Sequence, residues 1–556
     1  MALEMLPRAF ENQHTTLWIR IQAGISLACL LMDTADIPTA YKVVIETLDL
    51  VSQLTPRSLE VSDMQVLLRR TSGLPCIAGA LALMAGEDLH QVIQYLELGR
   101  GIILSSLSDL RIEMHDLQVS YPELAQQFIQ LSDQLDTKPG LLTGFTNPRH
   151  EMGRKLNSVI DEIRKLPGYD RFLLPPSEDQ LKSAAINGPV VIINVMYLRT
   201  DALIIQKDRF TSLELPVLYG DVKNFATKPE IDRQTLEWLW DGIASPVLEN
   251  LGYSDVPTSS TWPRIFWIPT RPLSTLPIHA AGYHYPSSTN TVIDRAVTSY
   301  SSSVKALIQG RQNTVSLPAS RKLGKAVLVG VKELCYAPEE VNELGKLCAG
   351  MGLEIQRLEP YREDVLLSLA ECEIFHFAGH GSSHQLDPSQ SSLKMEDGPV
   401  TVQDLFSLKL YQRAPFLAYL SACSTGYTED ERLGDEGLHL ISACHLAGFR
   451  NIIGTLRRVN DQFYVEVAKM TYKWIEDHNM RGGSVGEGLH HATRIQRDEW
   501  MIDGSGLDRA QRGLDGGECH DGQGNQKMCC TSREGRDMVG CEEGPIYWAP
   551  FVHFGV

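Results

Sequence analysis

The chain has 556 residues, 43% hydrophobic and 22% charged, an ordinary composition for a globular protein with room for two or three domains. A formal net charge of −18 argues against nonspecific nucleic-acid binding, which needs a basic face, and favours basic partners or substrates. No apolar run approaches membrane-crossing length and no signal-peptide pattern opens the chain. The eleven cysteines are scattered, several in apolar runs (Cys29, Cys76, Cys444), so free thiols and a cytoplasmic location are expected, with no membrane or nucleic-acid partner.

Residues 1–170 read as helices. Segments 14–32 and 37–52 carry apolar residues at helical spacing, and Asp36-Ile37-Pro38 supplies a cap followed by proline in the first turn. Segments 71–85 and 89–110 form a second pair, broken at Gly86-Glu87-Asp88, and 122–135 and 148–166 continue the pattern. Such hairpins suggest a solenoid, although no clean tetratricopeptide spacing is found; a plain helical bundle is the alternative. The stretch 166–177 (LPGYDRFLLPPS) marks a boundary. The expected division is a helical region 1–170, a linker 171–184 and an α/β region 185–556.

Beyond the boundary the texture changes. Residues 189–195, 202–205, 264–268 and 326–331 are strand-like runs, whereas 228–251, with Trp238 and Trp240, and 339–351 read as helices. This alternation argues for a layered α/β sheet. The turn 269–273 precedes His279 and is read as a loop bracing the sheet, with a second histidine site as the alternative.

Two further runs carry the chemistry. Ile374-Phe375-His376-Phe377-Ala378-Gly379-His380-Gly381 and Phe416-Leu417-Ala418-Tyr419-Leu420-Ser421-Ala422-Cys423-Ser424-Thr425-Gly426 are apolar runs of strand length that stop at small residues. They read as buried strands of a parallel sheet, whose ligands gather beyond the carboxyl ends. A thiol and an imidazole at such ends suggest a nucleophile and its base, because histidine makes the thiolate available. Their separation, 43 positions with histidine first, is close to that of caspases. His376, His380 and His384 have four-residue spacing but lie on a strand followed by glycine, so a metal site is a poor reading and His376 is expected to be buried.

These two motifs resemble the signatures of the CHAT domain, a caspase-like relative of separase. Three further stretches agree with that family in order: 264–282 (RIFWIPTRPLSTLPIHAAG), 435–455 (DEGLHLISACHLAGFRNIIGT) and 545–556 (PIYWAPFVHFGV), so the resemblance covers roughly 185–556. It implies a caspase-like α/β/α sheet preceded by a TPR-like helical region. It also implies a cysteine endopeptidase in which Cys423 attacks, His380 moves the proton, and backbone N–H groups around Gly381 and Cys423 stabilise the oxyanion. Family relatives place an aspartate after the strand 451–456 to bind a basic side chain at the cleavage position. Asp461 matches that place, with helix capping as its alternative role. The family usually has tryptophan where this chain has Arg457, whose guanidinium could pair with Asp461 and neutralise the pocket. The implied partners are a protein or peptide substrate and a regulatory protein on the helical region; no cofactor or metal is implied.

Residues 503–544 stand apart: ten of the 42 are glycine and large apolar side chains are scarce. Cys519, Cys529, Cys530, Cys541 and His520 lack the paired spacing of a zinc knuckle. A disordered insert is expected, with a retained intron as the alternative. Two readings of the whole follow: an active endopeptidase, for which the His380–Cys423 pair speaks, or a catalytically silent interaction scaffold, for which Arg457 and the insert speak.

Overall fold

A computed structural model describes residues 2–54, 71, 73–99, 117–118, 120–136, 148–258, 261–286, 288–315, 324–384, 387–408, 410, 413–422, 425–426, 439–457, 459, 461–502, 519–520, 526–527 and 546–555. The amino-terminal region is all-helical: α1 (Ala2–Glu11), α2 (Leu17–Asp33), α3 (Ile37–Leu54), α4 (Leu74–Ala85), α5 (Leu89–Gly99), α6 (Pro122–Asp136) and α7 (Pro148–Ile163). Asp36 accepts from the Thr39 N–H at 3.3 Å and Pro38 occupies the first turn of α3, as the sequence suggests. Helices α2 and α3 close on Ile21, Leu27 and Leu31 against Val44, Leu48 and Val51. At Gly24 of α2 a Cβ would lie 2.2 Å from Thr47 Oγ1 of α3, so glycine lets the two helices come together there.

Helix α4 is buried along nearly its whole length because it is sandwiched. One side joins the core of α2 and α3, and Ala82 with Val92, Ile93 and Leu96 of α5 packs on Val190, Ile192 and Leu203 of the sheet. Asn194 Nδ2 donates to Cys76 O at 3.0 Å, and the Glu97 carboxylate accepts the Val304 and Lys305 N–H groups at 3.1 and 3.0 Å. The helical region and the sheet therefore share one core here. The segment expected as a linker carries a helix, α8 (Glu178–Ser183), started by a Ser177–Gln180 capping box.

The sheet consists of β1 (Val190–Val195), β2 (Thr200–Ile205), β3 (Phe210–Leu215), β4 (Arg264–Pro269), β5 (Val297–Tyr300), β6 (Lys325–Gly330), β7 (Glu354–Leu358), β8 (Cys372–Ala378), β12 (Leu417–Ser421), β13 (Asn451–Thr455) and β16 (Phe551–Gly555). Their spatial order is β3-β2-β1-β4-β5-β16-β13-β12-β8-β6-β7. The sheet is mixed rather than purely parallel: β1, β2 and β3 form an antiparallel meander, and β16 runs antiparallel to β13. The meander follows from its connections, which are too short for a crossover. Three short strands, β9 (Gly381–Ser382), β10 (Ser392–Leu393) and β11 (Val400–Thr401), make a separate antiparallel sheet. Within the expected insert 503–544, only β14 (Cys519–His520) and β15 (Gln526–Lys527) belong to the described residues; the expectation of disorder otherwise falls outside them.

Helices cover both faces. The remaining ones are α9 (Tyr219–Ala226), α10 (Arg233–Leu239), α11 (Ser245–Leu251), α12 (Val304–Val315), α13 (Ala337–Gly350), α14 (Arg362–Leu369), α15 (Val402–Ser407), α16 (Leu440–Ala447), α17 (Asp461–Asp477) and α18 (Ser484–Ile502). On β1, Val191 and Ile193 face Leu236, Leu239 and Ile243, whereas Val190 and Ile192 face α5 and α12. The helix expected over 228–251 begins at Arg233 instead, where Asp232 accepts the Thr235 N–H at 2.8 Å. A π turn at Trp240–Ala244 joins α10 to α11. The stretch 435–455 contributes α16 and β13 among the described residues. The result is the layered α/β/α architecture with an all-helical region in front that the sequence implies.

Candidate active site

The two motif strands are neighbours. β8 and β12 pair in parallel, with Tyr419 opposite His376 and Ser421 opposite Ala378. Both are buried on both faces, which is why each reads as an unbroken apolar run. One bond continues the pairing past the strand ends, from Gly379 N–H to Ser421 O at 3.1 Å. The segments that follow β8 and β12 therefore leave the same end of the sheet.

His380 lies in the first of these segments and is half-buried. Its carbonyl accepts the Lys394 N–H at 2.9 Å, which ties it to the small sheet. Gly381 pairs with Leu393 in that sheet. With the 380–394 bond on one side, position 381 is a non-hydrogen-bonded one of the antiparallel ladder, so its N–H is directed away from β10. Beyond Gly381, the His384 N–H donates to Ser391 Oγ at 3.0 Å. Cys423 and Ser424 lie outside the described residues, between Ala422 and Thr425, which are described and fully buried.

The other histidine of the first motif has a different environment. His376 is fully buried, as expected, with Nε2 3.1 Å from Glu340 Oε1 and Nδ1 3.2 Å from the Tyr472 hydroxyl. Its ring stacks on Tyr419 at 5.0 Å. Burial, with Glu340 nearby, pushes the Tyr419 hydroxyl well above its usual value, so it stays protonated. This Glu–His–Tyr cluster joins α13 and α17 to the middle of β8 and β12. Sequence reading located His376 but not its partners, since Glu340 and Tyr472 are 36 and 96 positions away.

After β13 the chain bends into α17. Arg457 Nη2 donates to Ala226 O at the end of α9, at 2.7 Å. A cation at a helix C-terminus is favourably placed. Asp461 is the first residue of α17; its side chain lies outside the described residues. His279 is buried in a 3₁₀ turn, 2.9 Å from the Tyr300 hydroxyl through Nδ1, and burial lowers its pKa to about 4. It braces the β4–β5 connection, in keeping with the bland reading of that loop.

Among the described residues no helix is long and apolar enough to cross a membrane. The family model for the CHAT domain matches residues 233–556, more than half of the chain. No curated protein matches the sequence. Among solved structures, two crystal structures of the Saccharomyces cerevisiae separase–securin complex match 97% of this chain at 10% identity, with TM-scores of 0.48 and 0.45. The chain spans 40% of the length of those chains. The complex of Porphyromonas gingivalis RgpB pro- and mature domains matches 51% of this chain and 73% of its own, at 13% identity and a TM-score of 0.32.

Proposed function

The chain belongs to the CHAT domain family, and from that premise we propose that it is a cysteine endopeptidase working through His380 and Cys423. The observation that carries the proposal is the parallel pairing of β8 with β12, continued by the Gly379–Ser421 bond. It sends the histidine-bearing and cysteine-bearing segments off one end of the sheet. In the proposed reaction the Cys423 thiolate attacks the scissile carbonyl and His380 delivers the proton to the leaving amine. Water then hydrolyses the thioester, with His380 as the base. The Gly381 N–H, which the small sheet leaves uncommitted to its ladder, and the Cys423 N–H stabilise the oxyanion.

Asp461 is the proposed partner of a basic side chain at the cleavage position, and arginine is preferred to lysine because its planar fork suits a carboxylate. The helical region is the proposed seat of a regulatory protein. Its contacts to β1 through Asn194 and to α12 through Glu97 offer a physical link.

The test is a peptide library varied at the cleavage position, offered to the wild type, Cys423→Ala and Asp461→Ala. The proposal expects cleavage after basic residues, abolished in Cys423→Ala and stripped of its basic preference in Asp461→Ala. Cleavage after aspartate or small apolar residues, unchanged in Asp461→Ala, would sink the specificity assignment. A folded wild type that cleaves nothing would favour the scaffold reading.

A further inference from the structure

The residues on either side of Cys423 and Ser424 are held by one residue of the adjacent strand. Thr455, the last residue of β13, donates from Oγ1 to Ala422 O at 3.0 Å. Its N–H donates to Thr425 Oγ1, and its carbonyl accepts the Gly426 N–H, each at 3.0 Å. The single hydroxyl hydrogen of Thr455 is spent on Ala422, so Tyr464, whose OH is 3.3 Å away, is the donor in that contact. Ala422, Thr425, Thr455 and Tyr464 are all fully buried, where such bonds are costly to lose. The adjoining Gly454 belongs to the same arrangement: a Cβ there would lie 2.3 Å from Thr425 Oγ1.

Only two residues separate Ala422 from Thr425, and consecutive Cα atoms are about 3.8 Å apart. Ala422 and Thr425 are both fixed on Thr455. The same chain is bonded at Ser421 O to Gly379, the residue before His380. We propose that Thr455 is a positioning residue, which fixes where the Cys423 thiol and N–H stand relative to His380. This rests on the His380–Cys423 reading. Thr455 is fully buried, and its hydroxyl acts through the Ala422 carbonyl.

The test compares wild type, Thr455→Val, which keeps the shape and loses the hydroxyl, and Thr455→Ser, which keeps the hydroxyl. Alkylation of Cys423 by iodoacetamide is followed in the full chain by mass spectrometry of its peptide, across pH 6.5 to 9.5. An activated wild-type thiol reacts with an inflection below the free-thiol value of about 8.5. Thr455→Val is expected to move that inflection toward the free-thiol value and lower the rate at neutral pH roughly tenfold. The rate at high pH, where every thiol is ionised, is expected to stay unchanged, and Thr455→Ser should restore the wild-type profile. A merely structural role would leave the inflection alone. Where Thr455→Val does not yield folded protein, Tyr464→Phe carries the test, with a smaller shift in the same direction.

An activated wild type with unaltered profiles in the folded variants overturns the positioning inference alone. A wild type that titrates as a free thiol and resists acyl probes overturns the dyad reading, and the positioning inference falls with it.

Discussion

The first motif holds two histidines, and their replacement should separate stability from chemistry. His376→Ala removes a fully buried ring stacked on Tyr419 and leaves Glu340 and the Tyr472 hydroxyl without it. A buried polar group stripped of its partner costs about 1–3 kcal/mol, and truncating a large buried ring leaves a cavity with a penalty of similar size. The two together give an expected loss of about 3–5 kcal/mol. His380→Ala, at a half-buried position, should cost less, about 1 kcal/mol. The assay is urea unfolding followed by the fluorescence of the buried Trp267, Trp500 and Trp548. Comparable midpoints for the two variants would refute the division of labour between the histidines.

Acid should act in two stages. Burial lowers His279 and His284 to about 4, so the unfolded chain takes up protons that these rings refuse, and stability falls as pH drops from about 6.5 toward 4. Burial opposes ionisation of Asp294, but bonds from Arg497 and Thr291, with Arg494 nearby, hold its carboxyl at about 2; that contribution is complete above about pH 4 and is lost as pH falls through 2. A urea-midpoint profile flat from pH 7 to pH 4 would contradict the first stage. Asp294→Asn, which takes the two-pronged carboxylate from the buried Arg497 and leaves it paired with Asp498, should cost about 1–3 kcal/mol at neutral pH in the same assay. Glu97→Ala should cost about 1 kcal/mol by uncapping α12, and it should speed tryptic cleavage between the helical region and the sheet; an unchanged digestion pattern would show that this carboxylate is not a tie.

Much of the layered core was legible because burial writes itself as long apolar runs. β8 and β12 show it, and the glycine after Ala378 correctly divides the buried His376 from the half-buried His380. β7 (EIQRL) escaped because an edge strand need not be apolar, and its side chains are exposed or half-buried. The early start assigned to the 228–251 helix reflects Lys228, whose ammonium pairs with Asp232 at 2.7 Å while the helix itself begins after that cap. The antiparallel entry of β16 beside β13 depends on where the chain returns after α18, which no local pattern encodes. The same holds for Thr455 and the Glu340–His376–Tyr472 cluster. Ala422 and Thr425 are 33 and 30 positions from Thr455, Glu340 and Tyr472 are 36 and 96 from His376, and side-chain bonds of that kind have no periodicity to read.

Cys423 is proposed to be a nucleophile activated by His380. That role is tested most directly with a cysteine-directed acyl probe applied at neutral pH to wild type, Cys423→Ala and His380→Ala, with the labelled residue identified by mass spectrometry. Rapid labelling at Cys423 is expected in the wild type, none in Cys423→Ala, and at least roughly a hundredfold slower labelling in His380→Ala, of the order general-base catalysis supplies (about 10²–10⁴). Labelling of the folded wild type that is no faster than in His380→Ala, or that falls on another cysteine, would contradict that role.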